Sequence, residues 1–169
     1  MVNMGIKSNH RLTRRRALQY LYAGASVTLL GHPLVSLAAT ARGPVIVWKT
    51  PNCGCCKEWV KHLNANGFES VTHNVNETAS KRTALGLPER YGSCHTATLN
   101  GYVLEGHVPA QDIHRLLREK PLAIGLAVPG MPVGSPGMDM GTHSDAYEVL
   151  LVLKDGSAKT FHFYQAKIT

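Results

Sequence analysis

The feature that most constrains this chain is the cysteine run Cys53-Gly54-Cys55-Cys56, which stands where a predicted strand gives way to a predicted helix. The continuous apolar run at residues 45–48 predicts a buried strand before it. After it, apolar residues recur at the spacing of one helix face, up to Leu63. The motif therefore lies at a helix N-terminus, a position that favours the reactive thiolate form of cysteine.

The rest of the pattern alternates strands and helices. The predicted elements are a strand at 71–75, a short helix at 78–85, a hairpin at 96–104 around Asn100-Gly101, and a helix that starts at Pro109. A β-α-β opening followed by a hairpin and a helix is the order of a thioredoxin fold. The sequence therefore predicts an α/β domain of thioredoxin-like type.

The C-terminal part of the chain adds to this pattern. Residues 120–143 are rich in Gly, Pro and Met and lack clear periodicity, which predicts a long functional loop. Strands at 148–153 and 158–164 are then predicted on either side of the turn pair Asp155-Gly156. We expect a Met/Gly/Pro-rich loop and an extra C-terminal β-hairpin on the thioredoxin-like domain.

The first 41 residues have the layout of a bacterial export signal. The basic pair Arg14-Arg15 precedes a modest apolar stretch and a small-residue run that ends at Ala41. The arginine pair favours the twin-arginine type over a general secretory signal or a retained anchor, and the stretch is shorter than the roughly 20 residues of a membrane span. We expect a signal peptide at 1–41, cleavage after Ala41, membrane contact only during export, and a mature domain at 42–169 in the periplasm.

The charge of the chain depends strongly on this leader. The whole sequence has 18 lysines and arginines against 11 acids and a net charge of +7, but five of the basic residues lie in the leader. The mature domain therefore carries 13 basic residues and a net charge of +2. No basic stripe with interleaved aromatic residues remains, which argues against nucleic acid as a partner.

All the cysteines of the chain, Cys53, Cys55, Cys56 and Cys94, lie in the predicted mature domain. An even number in an exported protein ordinarily indicates structural disulfides. Three of these four are too close together for each to connect a distant part of the chain, and a third thiol would compete with a clean C-x-x-C redox pair. For a metal site the extra thiolate is an advantage, because soft sulfur ligands select Cu(I) and zinc.

Cys94 is predicted to face the other three cysteines. In glutaredoxin-like proteins a cis-proline segment that leads into an Asn-Gly hairpin packs against the C-x-x-C pair. Residues 94–101 correspond to that segment, with His95 at the proline position. We therefore expect Cys94 to be a fourth metal ligand, the alternative being a lone buried cysteine that acts as a small hydrophobe.

Thioether and imidazole ligands are also predicted around the thiols. Met138 and Met140 lie in the Gly/Pro-rich loop, where a thioether suits a copper ligand as well as a lid that only packs over the site. His107, at the end of the hairpin, is the candidate nitrogen ligand. Four other histidines are expected to be solvated or to lie in the core and not to bind metal: His62, His73, His114 and His162.

Four segments carry a resemblance to a known family: residues 47–56 with the C-x-C-C motif, 93–97, 105–110 and 129–138. They resemble the CopG-type copper proteins, a family long catalogued as a domain of unknown function and often found with copper-resistance genes. The resemblance implies a periplasmic thioredoxin-like fold whose cysteines hold copper. It also implies that the thiolates can bridge more than one copper ion in a cluster. A redox role is proposed for the family as well.

The expected function is therefore copper binding in copper tolerance, with Cu(I) the favoured ion and other periplasmic copper-handling proteins as partners. We expect a metal-binding protein rather than an enzyme, with redox activity on copper left open. Two alternatives also stay open: a thiol-disulfide oxidoreductase that uses Cys53 and Cys56, and a structural module with a tetrahedral zinc site. The methionine-rich loop favours copper over both.

Overall fold

The computed structural model describes residues 43–139 and 141–168. The predicted signal peptide at 1–41, the candidate ligand Met140 and the C-terminal Thr169 lie outside the described residues. In the part that is described, no helix is both long enough and apolar enough to cross a membrane.

The described residues form a mixed α/β fold, as the sequence predicts. The helices are α1 (Gly54–Ala65), α2 (Ala79–Ala84) and α3 (Ala110–Glu119), with a 3₁₀ turn at Glu89–Tyr91. The strands are β1 (Val45–Lys49), β2 (Ser70–Asn74), β3 (His95–Leu99), β4 (Tyr102–Glu105), β5 (Ala123–Ala127), β6 (His143–Ser144), β7 (Tyr147–Leu153), β8 (Ala158–Tyr164) and β9 (Lys167–Ile168).

The large sheet has the strand order β2-β1-β3-β4-β5-β7-β8. The pairs β1–β2 and β4–β5 are parallel, and the other neighbours are antiparallel. Neighbouring residues of β4 point to opposite faces: Leu104 joins a core cluster with Trp59 and Ile113 of α1 and α3, whereas Val103 joins a smaller cluster with Tyr91. The sheet is therefore covered on both faces.

The prediction of one long loop at 120–143 is wrong for residues 123–127, which form β5 in the middle of the sheet. This strand, Ala-Ile-Gly-Leu-Ala, is short and rich in small residues, so it lacks the β-branched pattern that identifies a strand. Its glycine has a structural reason, because a Cβ at Gly125 would overlap the carbonyl oxygen of Val103 on β4. Glycine here permits close approach of two paired strands.

The segments that carry the cysteines and His107 meet at one end of the sheet. The end of β1 lies beside the start of β3, with Lys49 opposite His95, and the end of β4 lies beside β3, with Glu105 opposite Thr96. The cysteine run follows β1, Cys94 precedes β3, and His107 follows β4. The strand pairing therefore brings segments that are far apart in sequence to one place.

Candidate metal centre

The sulfur atoms of Cys53, Cys55, Cys56 and Cys94 all lie within 4.8 Å of one another. Cys94 Sγ is 3.8 Å from Cys55 Sγ and 3.6 Å from Cys56 Sγ, although about forty residues separate them in sequence. Cys55 Sγ is 3.5 Å from Cys53 Sγ. The structure thus brings together the four cysteines that the sequence analysis selected.

The start of α1 positions three of these sulfurs. Cys53 is the N-cap residue, and its Sγ accepts a hydrogen bond of 3.3 Å from the backbone N–H of Cys56. Cys56 is fully buried, whereas the other three cysteines are partly exposed. Amide groups at a helix N-terminus stabilise negative charge, so this end of α1 suits thiolates.

Cys53 and Cys56 form a disulfide in this structure, and Cys55 and Cys94 are free thiols. The site therefore has two forms that differ by two electrons. In the disulfide form, two thiols face the oxidised pair. In the reduced form, four thiols share one small volume.

The thiol of Cys94 is held in its protonated form in the metal-free site. Burial raises its pKa to about 12, and the charge of Cys55 opposes ionisation further. A metal ligand must lose this proton, because the thiolate is the form that binds. Metal binding at Cys94 would therefore release a proton.

His107 is arranged as a metal ligand would be. Its side chain is fully buried, its Nδ1 lies 2.8 Å from the carbonyl oxygen of Pro136, and its Nε2 lies 3.1 Å from Cys94 Sγ. Since a carbonyl only accepts, Nδ1 carries the hydrogen, and the lone pair of Nε2 points to the thiol. Burial lowers the pKa of His107, which keeps the ring neutral. A backbone carbonyl that accepts from one ring nitrogen and so orients the imidazole is common at metal sites.

His95 is a second potential nitrogen ligand, which the sequence pattern predicts only as the residue at the proline position. Its Nδ1 lies 3.4 Å from Cys94 Sγ, so that Cys94, His95 and His107 form a second donor group. The ring is fully buried beside that of Trp59, with centroids 4.3 Å apart, and Nε2 finds no hydrogen-bond partner in the described part of the chain. Burial and the neighbouring His107 lower its pKa to about 3, so the ring is neutral. The sequence signal for this role is the position of His95 directly after Cys94.

The Gly/Pro-rich loop packs over the first turn of α1. A Cβ at Gly137 would lie 2.7 Å from the backbone nitrogen of Trp59 and 2.8 Å from the carbonyl oxygen of Cys55. Pro136, one residue earlier, accepts the bond from His107. Met138 follows as a half-buried residue, with its backbone bonded to Gly134 and Ser135. The loop therefore contacts the site through Pro136 and Gly137, and Met138 as a metal ligand stays a prediction.

Comparison with known proteins adds an independent finding. Two solved structures, described as copper resistance protein copG in Form 1 and in Form 2, are each 47% identical to this chain. Form 1 is covered over 98% of its length and 73% of this chain with a TM-score of 0.69, and Form 2 over 99% and 72% with 0.68. The chain belongs to the CopG family. A family model described as a protein of unknown function, DUF411, also matches residues 91–138. The comparison with curated proteins finds no match.

The CopG-family segment matched by that model contains Cys94, His95, His107 and most of the loop up to Met138. The C-x-C-C run lies before it. The site is therefore built from two parts of the chain, of which the second supplies the distant thiol and both nearby imidazoles.

Proposed function

We propose that this protein binds copper in copper tolerance, through Cys53, Cys55, Cys56 and Cys94 with His107 as a nitrogen ligand. The observation that carries the proposal is the approach of four sulfurs within 4.8 Å, with His107 Nε2 3.1 Å from one of them. Relatives described as copper resistance proteins support the choice of metal. A resident redox activity on copper is not needed for this function.

The donor set suits Cu(I). Thiolates and imidazole are ligands that copper prefers, and Cu(I) is selected by soft sulfur. The second donor group shares Cys94 with the first, so the same thiolate could bridge two ions. A closed tetrahedral zinc site needs four ligands and no more. Two overlapping donor groups and a methionine-bearing loop are more than such a zinc site requires.

We infer a thioredoxin-like fold and periplasmic location for the domain. The strand order β2-β1-β3-β4, with β1 parallel to β2 and antiparallel to β3, and the C-x-x-C at the N-terminus of α1 support the fold. The arginine pair at Arg14-Arg15 and the small residues before Arg42 support export. Replacement of both arginines by lysine should leave uncut protein in the cytoplasm if the twin-arginine route is used. Normal export of that variant would contradict it.

A second candidate function is thiol-disulfide exchange, and the Cys53–Cys56 disulfide favours it. In that function, a substrate thiolate attacks one sulfur of the disulfide and the other leaves as a thiolate. Cys53 is the sulfur at the helix N-cap, where a leaving thiolate is stabilised. This function gives no role to Cys55, Cys94 or His107.

The experiment that tests the proposal is Cu(I) titration of the mature domain against a competing chelator, first reduced and then with the Cys53–Cys56 disulfide formed. We expect tight binding by the reduced form and a large loss of affinity in the disulfide form, since two of four thiolate ligands are removed. Single replacements of each cysteine by serine should all reduce the copper stoichiometry or affinity. An insulin-type disulfide reduction assay on the same variants measures the second function.

The two functions differ most at Cys55 and Cys94. If Cys55→Ser and Cys94→Ser bind copper like the unaltered domain while only the Cys53 and Cys56 variants lose reductase activity, the copper proposal fails. A zinc module would instead show zinc retained in preference to copper and unfolding on metal removal. His143→Ala serves as a matched control, because His143 is exposed and pairs with Asp145.

A further inference from the structure

We propose that the buried ion pair between Arg82 and Glu105 is a positioning device that holds Cys94 and His107 in place for copper. This inference rests on the proposed copper function. Neither residue approaches the sulfur cluster as a ligand. Each instead bonds to the backbone that carries the ligands.

The pair is almost entirely removed from solvent. The side chain of Arg82 on α2 is 3% exposed and that of Glu105 at the end of β4 is 0% exposed, with 2.8 Å between Arg82 Nε and Glu105 Oε1. Arg82 Nη1 also donates to the carboxylate of Glu89 at 2.6 Å. Removing both charges from water is costly, so such a pair is weak evidence for a role in stability. Its retention calls for another reason.

The two charged groups hold the residues on both sides of Cys94. Glu105 Oε1 accepts a bond of 2.7 Å from the backbone N–H of Ser93, and Oε2 accepts one of 2.7 Å from Thr96 Oγ1. Arg82 Nη2 donates to the carbonyl oxygen of Ser93 at 3.1 Å. The backbone of Gly92 lies against the guanidinium, since a Cβ there would be 2.9 Å from Arg82 Cζ. Cys94 thus lies between two anchored residues, Ser93 directly before it and Thr96 two positions after it.

Glu105 also leads directly to the histidine ligand. Gly106, with φ of +69°, donates its N–H to the carbonyl oxygen of His95 at 3.0 Å. The chain then reaches His107, whose Nε2 lies against Cys94 Sγ. One carboxylate therefore sets the position of the thiol from the start of β3 and of the imidazole from the end of β4.

The geometry explains why an ion pair is used here. A planar guanidinium can donate to Glu105, Glu89 and Ser93 in fixed directions at once, which neither a lysine nor an apolar side chain can do. An apolar pair of similar volume would fill the space but would release the segment around Cys94. Outer groups that orient metal ligands typically change metal affinity by about 10- to 100-fold when they are removed.

The test uses the double variant R82M/E105L and the single variant E105Q in the reduced mature domain. Apolar replacement of both partners of a buried pair is often neutral for stability, so the double variant is expected to fold. We expect Cu(I) affinity to fall by at least about tenfold in both variants, with a changed Cu(I)–thiolate ultraviolet absorption. If R82M/E105L does not fold, E105Q, which keeps one acceptor oxygen, decides the question alone.

The matched control is Asp112→Asn. Asp112 is a 2% exposed carboxylate that accepts from His162 and Tyr164. We expect this variant to lose thermal stability without changing copper affinity or the absorption spectrum. A folded R82M/E105L or E105Q domain that binds Cu(I) like the unaltered domain would overturn the inference. Absence of Cu(I) binding in the unaltered domain would instead overturn the proposed function.

Discussion

The thiol of Cys94 and Nε2 of His107 lie 3.1 Å apart, on segments that flank the β3–β4 hairpin. The hairpin turn at Asn100-Gly101 sets this distance, because residues that precede one strand and follow its antiparallel partner lie side by side. The carbonyl of Pro136 then selects the tautomer of His107 that directs a lone pair to the sulfur. The hairpin and the loop together therefore place one sulfur and one nitrogen side by side as potential metal ligands.

Replacing His107 by alanine is therefore expected to weaken Cu(I) binding while the four thiols remain. The loss of one oriented ligand should reduce affinity by about tenfold or more. Chelator competition on the reduced mature domain measures this. His143→Ala should bind copper like the unaltered domain, and equal affinity of both variants would show that His107 is no ligand.

Copper binding is expected to change the fluorescence of Trp59. Its ring lies against that of His95, and its Nε1 donates to the carbonyl oxygen of Val108 at 2.9 Å, so the indole is buried at the site. Trp48 points to the opposite face of the sheet from Val47, which shares the core cluster of Trp59, and it stacks on His73 near Lys81. Titration of W48F should retain the change, whereas titration of W59F should lose it. A response that follows Trp48 instead would place copper elsewhere.

Gly137→Ala is expected to destabilise the domain and weaken copper binding. The new Cβ would meet the backbone of Cys55 and Trp59 at less than 3 Å, and the residue has φ of +86°. Gly141→Ala is the control, because Gly141 has φ of +94° but, among the residues that the structure describes, no atom lies within 4 Å of such a Cβ. Backbone strain of roughly 1–2 kcal/mol should appear in both variants. Displacement of the loop from α1 should lower the free energy of unfolding by a further amount of about 1–3 kcal/mol in Gly137→Ala alone. Urea unfolding of both variants measures this difference.

His62 should make the stability of the metal-free domain depend on pH. Its Nε2 accepts a 3.1 Å bond from the backbone N–H of Ala110, the first residue of α3, and burial lowers its pKa. Only the neutral ring can accept, so the unfolded chain binds the proton first. The free energy of unfolding should fall as pH drops below the ordinary value of about 6.5, by at most about 1.4 kcal/mol per pH unit.

The matched variant is His62→Gln, whose side-chain oxygen can accept the same bond without titrating. Unfolding by urea at several pH values between 7.5 and 5 should show similar stabilities at the upper end of this range, with the unaltered domain losing more stability than the variant as the pH falls. A constant difference between them across this range would contradict the assignment.

The sequence predicts the parts of this site that depend on local pattern. The apolar run before Cys53 and the helical spacing after it place the first three thiols, and Asn100-Gly101 predicts the hairpin that carries Cys94 and His107. These signals are short-range and agree with the long-range packing. The mixed α/β class is confirmed for the same reason.

Other parts depend on contacts that no local pattern contains. The strand at Ala123–Ala127 has small residues because Gly125 must approach Val103, which is a property of the pair and not of the segment. Arg82 and Glu105 are 23 residues apart and look like ordinary surface charges until the fold buries them. His95 is identified as a donor only once its ring is seen beside Cys94. Met140 as a ligand stays a prediction.

Three of the four thiols lie within four consecutive residues, and the fourth is supplied by the fold. The denatured chain consequently keeps most of the thiolate donors close together and still competes for the ion. A ligand that binds both states stabilises the native one only by the difference in affinity. Copper should therefore raise the melting temperature by less than its affinity for the folded domain implies. The difference in copper affinity between the native and the denatured chain arises chiefly from Cys94, which only the fold brings to the other thiols.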